Sequence, residues 1–268
     1  MSLRITQNIE AMTASRYLQH TSMKLTKSME KLSSGYRINS AADDAAGLGI
    51  SESMRSQVRG LAQAQRNIQD GISMVQTAEG NLDEVHSMLQ RIRELAVQYQ
   101  NGTVSPANHT AIQSEVNQLI SEIERIGTTA KFNGVTLLAA NALITFQVGA
   151  NDGEQIAVSL ISLGATLGTA AYSLTAAGAQ DISEIDAAIG VISNQRSVYG
   201  AIQNRLEHTL ANLATYEENL TAAESRIRDV DMADEMANFT KLQILQQAGT
   251  AMLAQANVSN QSVLQLLK

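Results

Sequence analysis

Hydrophobic residues recur every seven positions between Met54 and Tyr99. The line runs through Leu61, Ile68, Val75, Leu82, Leu89 and Ala96, and a companion line at three- or four-residue offsets includes Val58, Ile72, Val85 and Ile92. A sustained seven-residue repeat keeps one face of a helix turned toward a partner, which is typical of a coiled-coil seam. A helix of about 46 residues is roughly 69 Å long, whereas a compact globule of this chain length has a radius of gyration of about 18 Å. The pattern predicts a mainly α fold, an elongated antiparallel coiled-coil or helical-bundle rod.

A second heptad line begins after residue 181 and is similar in length to the first. It contains Ile185, Ile192, Tyr199, Leu206, Leu213, Leu220 and Ile227. Because a narrow apolar stripe cannot be buried within its own helix, we expect the two long helices to pack against each other. The residues predicted at this intrachain seam include Leu61, Ile68, Leu82, Leu89, Tyr199, Leu206 and Leu213.

The pattern changes between the two long helices. Ser105 followed by Pro106 predicts the start of a shorter helix, which we expect to fold back and to end at Gly127. Within residues 131–160, alternating apolar residues on both sides of a glycine-containing turn predict one β-hairpin. Residues 161–180 are mostly Gly, Ala, Ser and Thr, so we expect a surface segment with little side-chain volume to pack. The hairpin and this segment are expected at one tip of the rod.

The two ends of the chain carry sparser apolar stripes, with many Ser, Gln and Asn residues at the positions between. Burying a large apolar side chain contributes about 1.5–3 kcal/mol, and ordering each residue costs about 1–2 kcal/mol. Neither terminal helix is therefore expected to be stable without partners. A break rich in glycine and hydroxyl residues at 33–40 separates the first helix from the central one, where Asp43 and Asp44 are expected to cap the next helix.

The two weak ends are expected to lie side by side, because antiparallel connections return the chain to its start. Two amphipathic helices held together provide a surface for polymerisation. The residues predicted for self-assembly are Leu18, Leu25, Leu32, Leu242, Leu245, Leu264 and Leu267. The predicted domains are an inner domain of terminal helices at 1–40 and 232–268, and an outer helical rod at 41–231 that includes the hairpin and loop of 131–180.

Composition narrows the classes of function. A hydrophobic fraction of 44% excludes a wholly disordered chain, while 3% aromatic residues and a single proline suit long helices with narrow seams. A net charge of −7 with scattered Lys and Arg disfavours nucleic-acid binding. There is no cysteine and no classical export signal. Because the sequence has no apolar run of about 18 residues, membrane insertion is not expected. The sequence contains no H-E-x-x-H, EF-hand or G-x-S-x-G pattern, and we expect no metal, cofactor or catalytic function. An enzyme with an unrecognised site in 131–180 is the least favoured alternative.

Several long stretches of sequence in both halves of the chain form recognisable signatures. In the first half these are LSSGYRINSAADDAAG at 32–47, RNIQDGISMVQTAEG at 66–80 and LQRIRELAVQ at 89–98. In the second half they are GAIQNRL at 200–206, RIRDVDMA at 226–233 and QSVLQLLK at 261–268. These stretches strongly resemble the signatures of bacterial flagellin, and the resemblance covers roughly 1–140 and 181–268. It implies a short-form structural subunit that is exported unfolded, secreted and polymerised with copies of itself into the extracellular flagellar filament for motility.

The resemblance also implies partners. These are the flagellar export machinery, an export chaperone, and the filament cap and junction proteins. A host Toll-like receptor is a further implied partner, at the positions Gln90, Arg91, Leu95 and Glu115. The simpler interpretation of those positions is a solvated helix face with one seam leucine. A flagellar hook-filament junction protein, which shares the terminal helices, is the alternative function, but intact signatures at both ends favour the filament subunit.

Overall fold

The computed structural model describes residues 8–164 and 179–265. These residues form helices α1 (Ile9–Ser34), α2 (Ala45–Tyr99), α3 (Pro106–Thr129), α4 (Ala179–Arg228) and α5 (Met232–Gln265), and strands β1 (Lys131–Phe132), β2 (Val135–Thr136), β3 (Leu143–Gln147) and β4 (Gln155–Ser159). The predicted mainly α class is confirmed. None of the helices described is both long enough and apolar enough to cross a membrane.

The chain divides into two compact units, and the division falls within α2 and α4. Unit 1 comprises Met1–Ser56 and Asn219–Lys268, and unit 2 comprises Gln57–Glu218. Unit 1 thus contains both terminal helices together with the joint that follows α1. The functional division into an inner domain at 1–40 and 232–268 and an outer rod at 41–231 stays a prediction.

Side-chain caps explain where the helices begin. The carboxylate of Asp44 accepts a hydrogen bond from the backbone N–H of Gly47 at 2.9 Å, one residue before α2 starts. Ser105 caps α3 in the same way, with Pro106 at the first helical position. Gly35 caps the C-terminal end of α1, and its φ of 76° is a left-handed conformation that glycine adopts without strain.

Unit 2 contains the main hydrophobic core, to which α2, α3, α4 and strands β1, β3 and β4 contribute. The predicted seam residues Leu61, Ile68, Leu82, Leu89, Tyr199 and Leu206 are all buried, and Leu213 is partly buried against the same core. The two long helices run antiparallel, because Arg93 pairs with Asp186 near one end of the seam while Gln65 bonds to Glu217 near the other. Burial of Tyr199 raises the pKa of its phenol.

Several details differ from the sequence prediction. α3 continues through Gly127 to Thr129, and Gly127 is buried with the Leu163 side chain about 3.4 Å from where a Cβ would stand. This glycine therefore lies inside the helix, in contact with Leu163, and does not end the helix. Residues 161–163, which we expected at the surface, are buried, since Leu163 fills the space beside Gly127. Residues 165–178 of the same expected segment lie outside the described residues.

The strands form two hairpins, where the sequence predicted one. β1 pairs antiparallel with β2 around the Asn133-Gly134 turn, and β3 pairs antiparallel with β4. The second hairpin was expected at a tip, but it lies along the side of α2. Phe146 packs on Gly71, and Ala150 lies against Gly60. Small residues on α2 allow this close approach, which an apolar periodicity cannot reveal.

Candidate assembly surface

The two terminal helices α1 and α5 pack side by side and run antiparallel in unit 1. The Asn8 side-chain amide donates a hydrogen bond to the carbonyl oxygen of Ala256 at 3.0 Å. Near the other end, the Ser28 hydroxyl donates to the Glu235 carboxylate at 2.5 Å, and Ser28 is buried. The polar contacts at both ends fix the register of the pair.

A glycine sets how closely the pair approaches. If Gly249 carried a Cβ, that atom would stand 3.2 Å from Cδ1 of Leu18. The apolar periodicity does not identify this position, although an isolated glycine inside a helical pattern is a signal of close packing.

Unit 1 buries very few apolar side chains. Among the described residues, thirty of the thirty-two buried hydrophobic residues belong to unit 2, and unit 1 has only Ile38 and Leu242. The exposed large hydrophobic residues are distributed the opposite way, with twelve of the seventeen in unit 1. An exposed apolar surface of this kind typically marks an interaction site.

Two grooves run along the pair of terminal helices. The larger groove, with a volume of about 780 Å³, is lined by residues including Ile9, Tyr17, Leu18, Leu245 and Met252. The smaller groove, of about 490 Å³, is lined by Asn8, Ala11, Met12, Ser15, Arg16, Gln19 and Leu253. Both grooves open to solvent and combine apolar side chains with small residues that leave room between them.

The predicted self-assembly residues lie on this pair of helices but differ in exposure. Leu242 is buried, and Leu18, Leu25 and Leu32 are half-buried. Leu245 is exposed and lines the larger groove. The side chains of Leu264 and Leu267 lie outside the described residues.

A polar cluster holds the joint that follows α1. The guanidinium of Arg228 lies over the ring of Tyr36, 4.7 Å from its centroid, and donates to the Glu52 carboxylate at 2.6 Å. This hydrogen bond lowers the pKa of Glu52. The backbone reinforces the cluster, since the N–H of Val230 donates to the carbonyl of Gly35 at 3.0 Å. No sequence pattern predicted a role for Arg228, which is buried even though it carries a charge.

A second ion pair ties α1 to the joint. The Lys27 ammonium lies 2.8 Å from the Asp43 carboxylate, and this contact is the main reason that the pKa of Asp43 lies well below its usual range. The Ser40 backbone N–H and hydroxyl also donate to Asp43. Both Asp43 and Asp44 were expected as helix caps. Asp43 instead stabilises the joint, and Asp44 caps α2.

The four positions considered for receptor recognition lie in unit 2. Arg91 is exposed and donates to the carboxylates of Glu94 and Glu115, which raises its pKa. The Gln90 side chain is exposed and bonds to His86. Leu95, by contrast, is only 2% exposed and belongs to the hydrophobic core. The arginine and its carboxylates form a surface network, whereas the leucine is part of the core of unit 2.

Comparison with known proteins identifies the family. The model of the bacterial flagellin N-terminal helical region matches residues 5–142, and that of the C-terminal helical region matches residues 182–267. The chain belongs to the bacterial flagellin family. It is 53% identical to a flagellin of Halalkalibacterium halodurans over 98% of this chain and 99% of that protein. It is 47% identical to a flagellin of Bacillus subtilis over 99% of this chain and 100% of that protein.

A solved structure agrees with this assignment. The crystal structure of Bacillus cereus flagellin is 31% identical and has a TM-score of 0.52, over 59% of this chain and 94% of that one. A flagellin is a structural component of the extracellular flagellar filament and is not an enzyme. The alternative of a hook-filament junction protein is not favoured. Within a self-associating subunit, the exposed apolar pair of terminal helices is the candidate assembly surface.

Proposed function

We propose that this flagellin polymerises through its paired terminal helices, with the grooves along α1 and α5 occupied by apolar side chains of neighbouring copies. The observation that carries the proposal is the contrast between the two units. Unit 1 exposes twelve large hydrophobic residues and buries two, whereas unit 2 exposes five and buries thirty among the residues described. Unit 2 has a core of its own, and unit 1 gains one by association.

The occupant we propose is a second copy of this chain, because flagellins self-associate. Each apolar side chain that becomes fully buried contributes about 1.5–3 kcal/mol, so a few of the exposed residues suffice for stable association. The contact joins different faces of identical subunits. Repetition of such a heterologous contact produces an open helical polymer when the rotation does not close a ring.

The same features suit export in an unfolded state. A chain with no cysteine and one proline carries neither disulfides nor many slow prolyl bonds. The terminal helices gain little from their own packing, so they unfold at low cost before assembly. Export machinery, an export chaperone, and the filament cap and junction proteins are the partners we propose for that stage.

The experiment is seeded elongation with two matched tyrosine variants. Tyr17 lines the larger groove in unit 1 and is 66% exposed, whereas Tyr216 lies on α4 in unit 2 and is 49% exposed. We expect Tyr17→Ser to slow elongation on preformed seeds by about tenfold, because an aromatic contact is lost. Tyr216→Ser should elongate within about twofold of the parental rate.

Circular dichroism and thermal melting of both monomers provide the control, since neither exposed tyrosine supports the unit 2 core. Equal slowing by both substitutions would show that the assembly surface is not confined to unit 1. Parental elongation by Tyr17→Ser would remove the larger groove from the assembly contact.

For a host Toll-like receptor, we propose a contact through Gln90, Arg91 and Glu115 alone. The exposed guanidinium of Arg91 supports this proposal, and burial of Leu95 in the core argues against the leucine as a contact residue. Receptor-reporter assays with Arg91→Ala and a matched Arg93→Ala variant test it. A signal that falls only with Arg91→Ala would support the proposal, and equal signals from both variants would contradict it.

A further inference from the structure

The methionines of this chain are unevenly distributed. Of the nine that the structure describes, the six that are exposed all lie on the terminal helices: Met12, Met23, Met29, Met232, Met236 and Met252. In unit 2, Met74 is buried and Met88 is half-buried. An exposed thioether is open to oxidants, while a buried one is shielded by its neighbours.

Two of the exposed methionines line the grooves of the candidate assembly surface. Met252 is 65% exposed and lines the larger groove beside Tyr17 and Leu245. Met12 is 68% exposed and lines the smaller groove beside Leu253. The other four exposed methionines line neither groove. Each groove therefore holds one solvent-accessible sulfur.

We propose that Met12 and Met252 are oxidation sites whose conversion to methionine sulfoxide blocks polymerisation of the free subunit. The inference rests on the proposed assembly through these grooves. The oxidant is a peroxide. A sulfur lone pair attacks one peroxide oxygen, so that an S–O bond forms as the O–O bond breaks. Sulfur loses two electrons, and the departing oxygen leaves as water after taking the proton of the transferred oxygen.

The chemical change opposes burial. A thioether is a flexible apolar group that fills irregular gaps, whereas a sulfoxide carries a strong hydrogen-bond acceptor. When a neighbouring copy covers the groove, that oxygen loses water and must find a donor in an interface built from apolar side chains. Modification thus leaves the subunit folded but less able to join the polymer, and assembly in turn shields both sulfurs.

The test treats purified full-length monomer with hydrogen peroxide, removes the peroxide with catalase, and measures elongation on untreated seeds. Peptide mass spectrometry reports the oxygen gained at each methionine. We expect fully oxidised parental protein to elongate at least about tenfold more slowly, and methionine sulfoxide reductase to restore the rate.

Met12→Leu/Met252→Leu keeps similar apolar volume and should elongate after peroxide within about twofold of its own untreated rate. Met232→Leu is the matched control and should stay as sensitive as the parental chain.

A second measurement needs no variant, and it decides the matter if the double variant does not fold. Met12 and Met252 should oxidise at least about tenfold more slowly in filaments than in monomers, because neighbouring copies cover them. Equal rates in both states would overturn the proposal, as would normal elongation by subunits that carry both sulfoxides. If Tyr17→Ser slows elongation but these sulfoxides do not, only this inference fails. If Tyr17→Ser has no effect, assembly through the groove fails as well.

Discussion

Truncation of Leu82 tests whether the heptad line forms the core of unit 2. Leu82 is 0% exposed, so Leu82→Ala removes three fully buried carbons. At about 0.8 kcal/mol per carbon the transfer cost is roughly 2.4 kcal/mol, and a cavity that does not collapse raises the total toward about 5 kcal/mol. For a unit of this size, 1 kcal/mol shifts the thermal midpoint by about 2–4 °C, so we expect a decrease of about 5–20 °C.

The matched control is the same truncation at Leu245, which is 47% exposed in the free chain and lines the larger groove. Leu245→Ala should melt within about 2 °C of the parental monomer, because the side chain is outside the unit 2 core. Leu245→Ala should raise the protein concentration needed for seeded elongation by about fivefold, because the exposed half of the leucine side chain is no longer there to be buried on assembly. Circular dichroism melts and elongation assays on both variants provide the readouts.

If Leu82→Ala melts within about 2 °C of the parental chain, the heptad line is not the core. If the two variants exchange phenotypes, the assignment of core and assembly surface is wrong.

Two further predictions concern the terminal helices and the joint. Gly249→Leu should impair elongation more than Gly249→Ala. The methyl group of alanine meets only the flexible end of Leu18, and alanine improves the helix propensity by about 1 kcal/mol. Equal elongation rates for the two variants would contradict a close approach of the helices at this position. For Glu52, hydrogen bonding to Arg228 lowers the pKa in the folded state, so its contribution to stability is present above the ordinary carboxyl pKa of 4.5 and is lost as pH falls through the lowered value. The difference in thermal midpoint between parental protein and Glu52→Gln should therefore be constant at neutral pH and narrow below about pH 4.5, and a difference that persists at lower pH would contradict this assignment.

The sequence predicted those parts of the fold that depend on repeating patterns. A strict seven-residue repeat identified Leu82 and Leu206 as buried seam residues, because helix geometry alone determines which positions share a face. Likewise, Ser105 and Pro106 located the start of α3 through local capping chemistry. Both kinds of signal involve only residues that are close along the chain.

Features that depend on contacts between distant residues were not predictable in this way. A glycine is typical of a helix end, yet Gly127 lies inside α3 and contacts Leu163, which is distant in sequence. The buried Arg228 depends on Tyr36 and Glu52, and no local pattern brings these three together. At the assembly surface, the sequence placed the correct helices in the candidate site, but which leucines are exposed depends on the register fixed by Asn8 and Ser28.

Amide hydrogen exchange of α1 and α5, compared between dilute monomer and filament, tests the central claim most directly. If neighbouring copies complete the core of unit 1, residues 9–34 and 232–258 should exchange quickly in the monomer and become strongly protected in the filament. The core segment of α2 around Leu82 should be protected in both states and serves as the internal control. Strong protection of both terminal helices in the dilute monomer, unchanged on assembly, would contradict the claim that these helices depend on polymerisation for their packing.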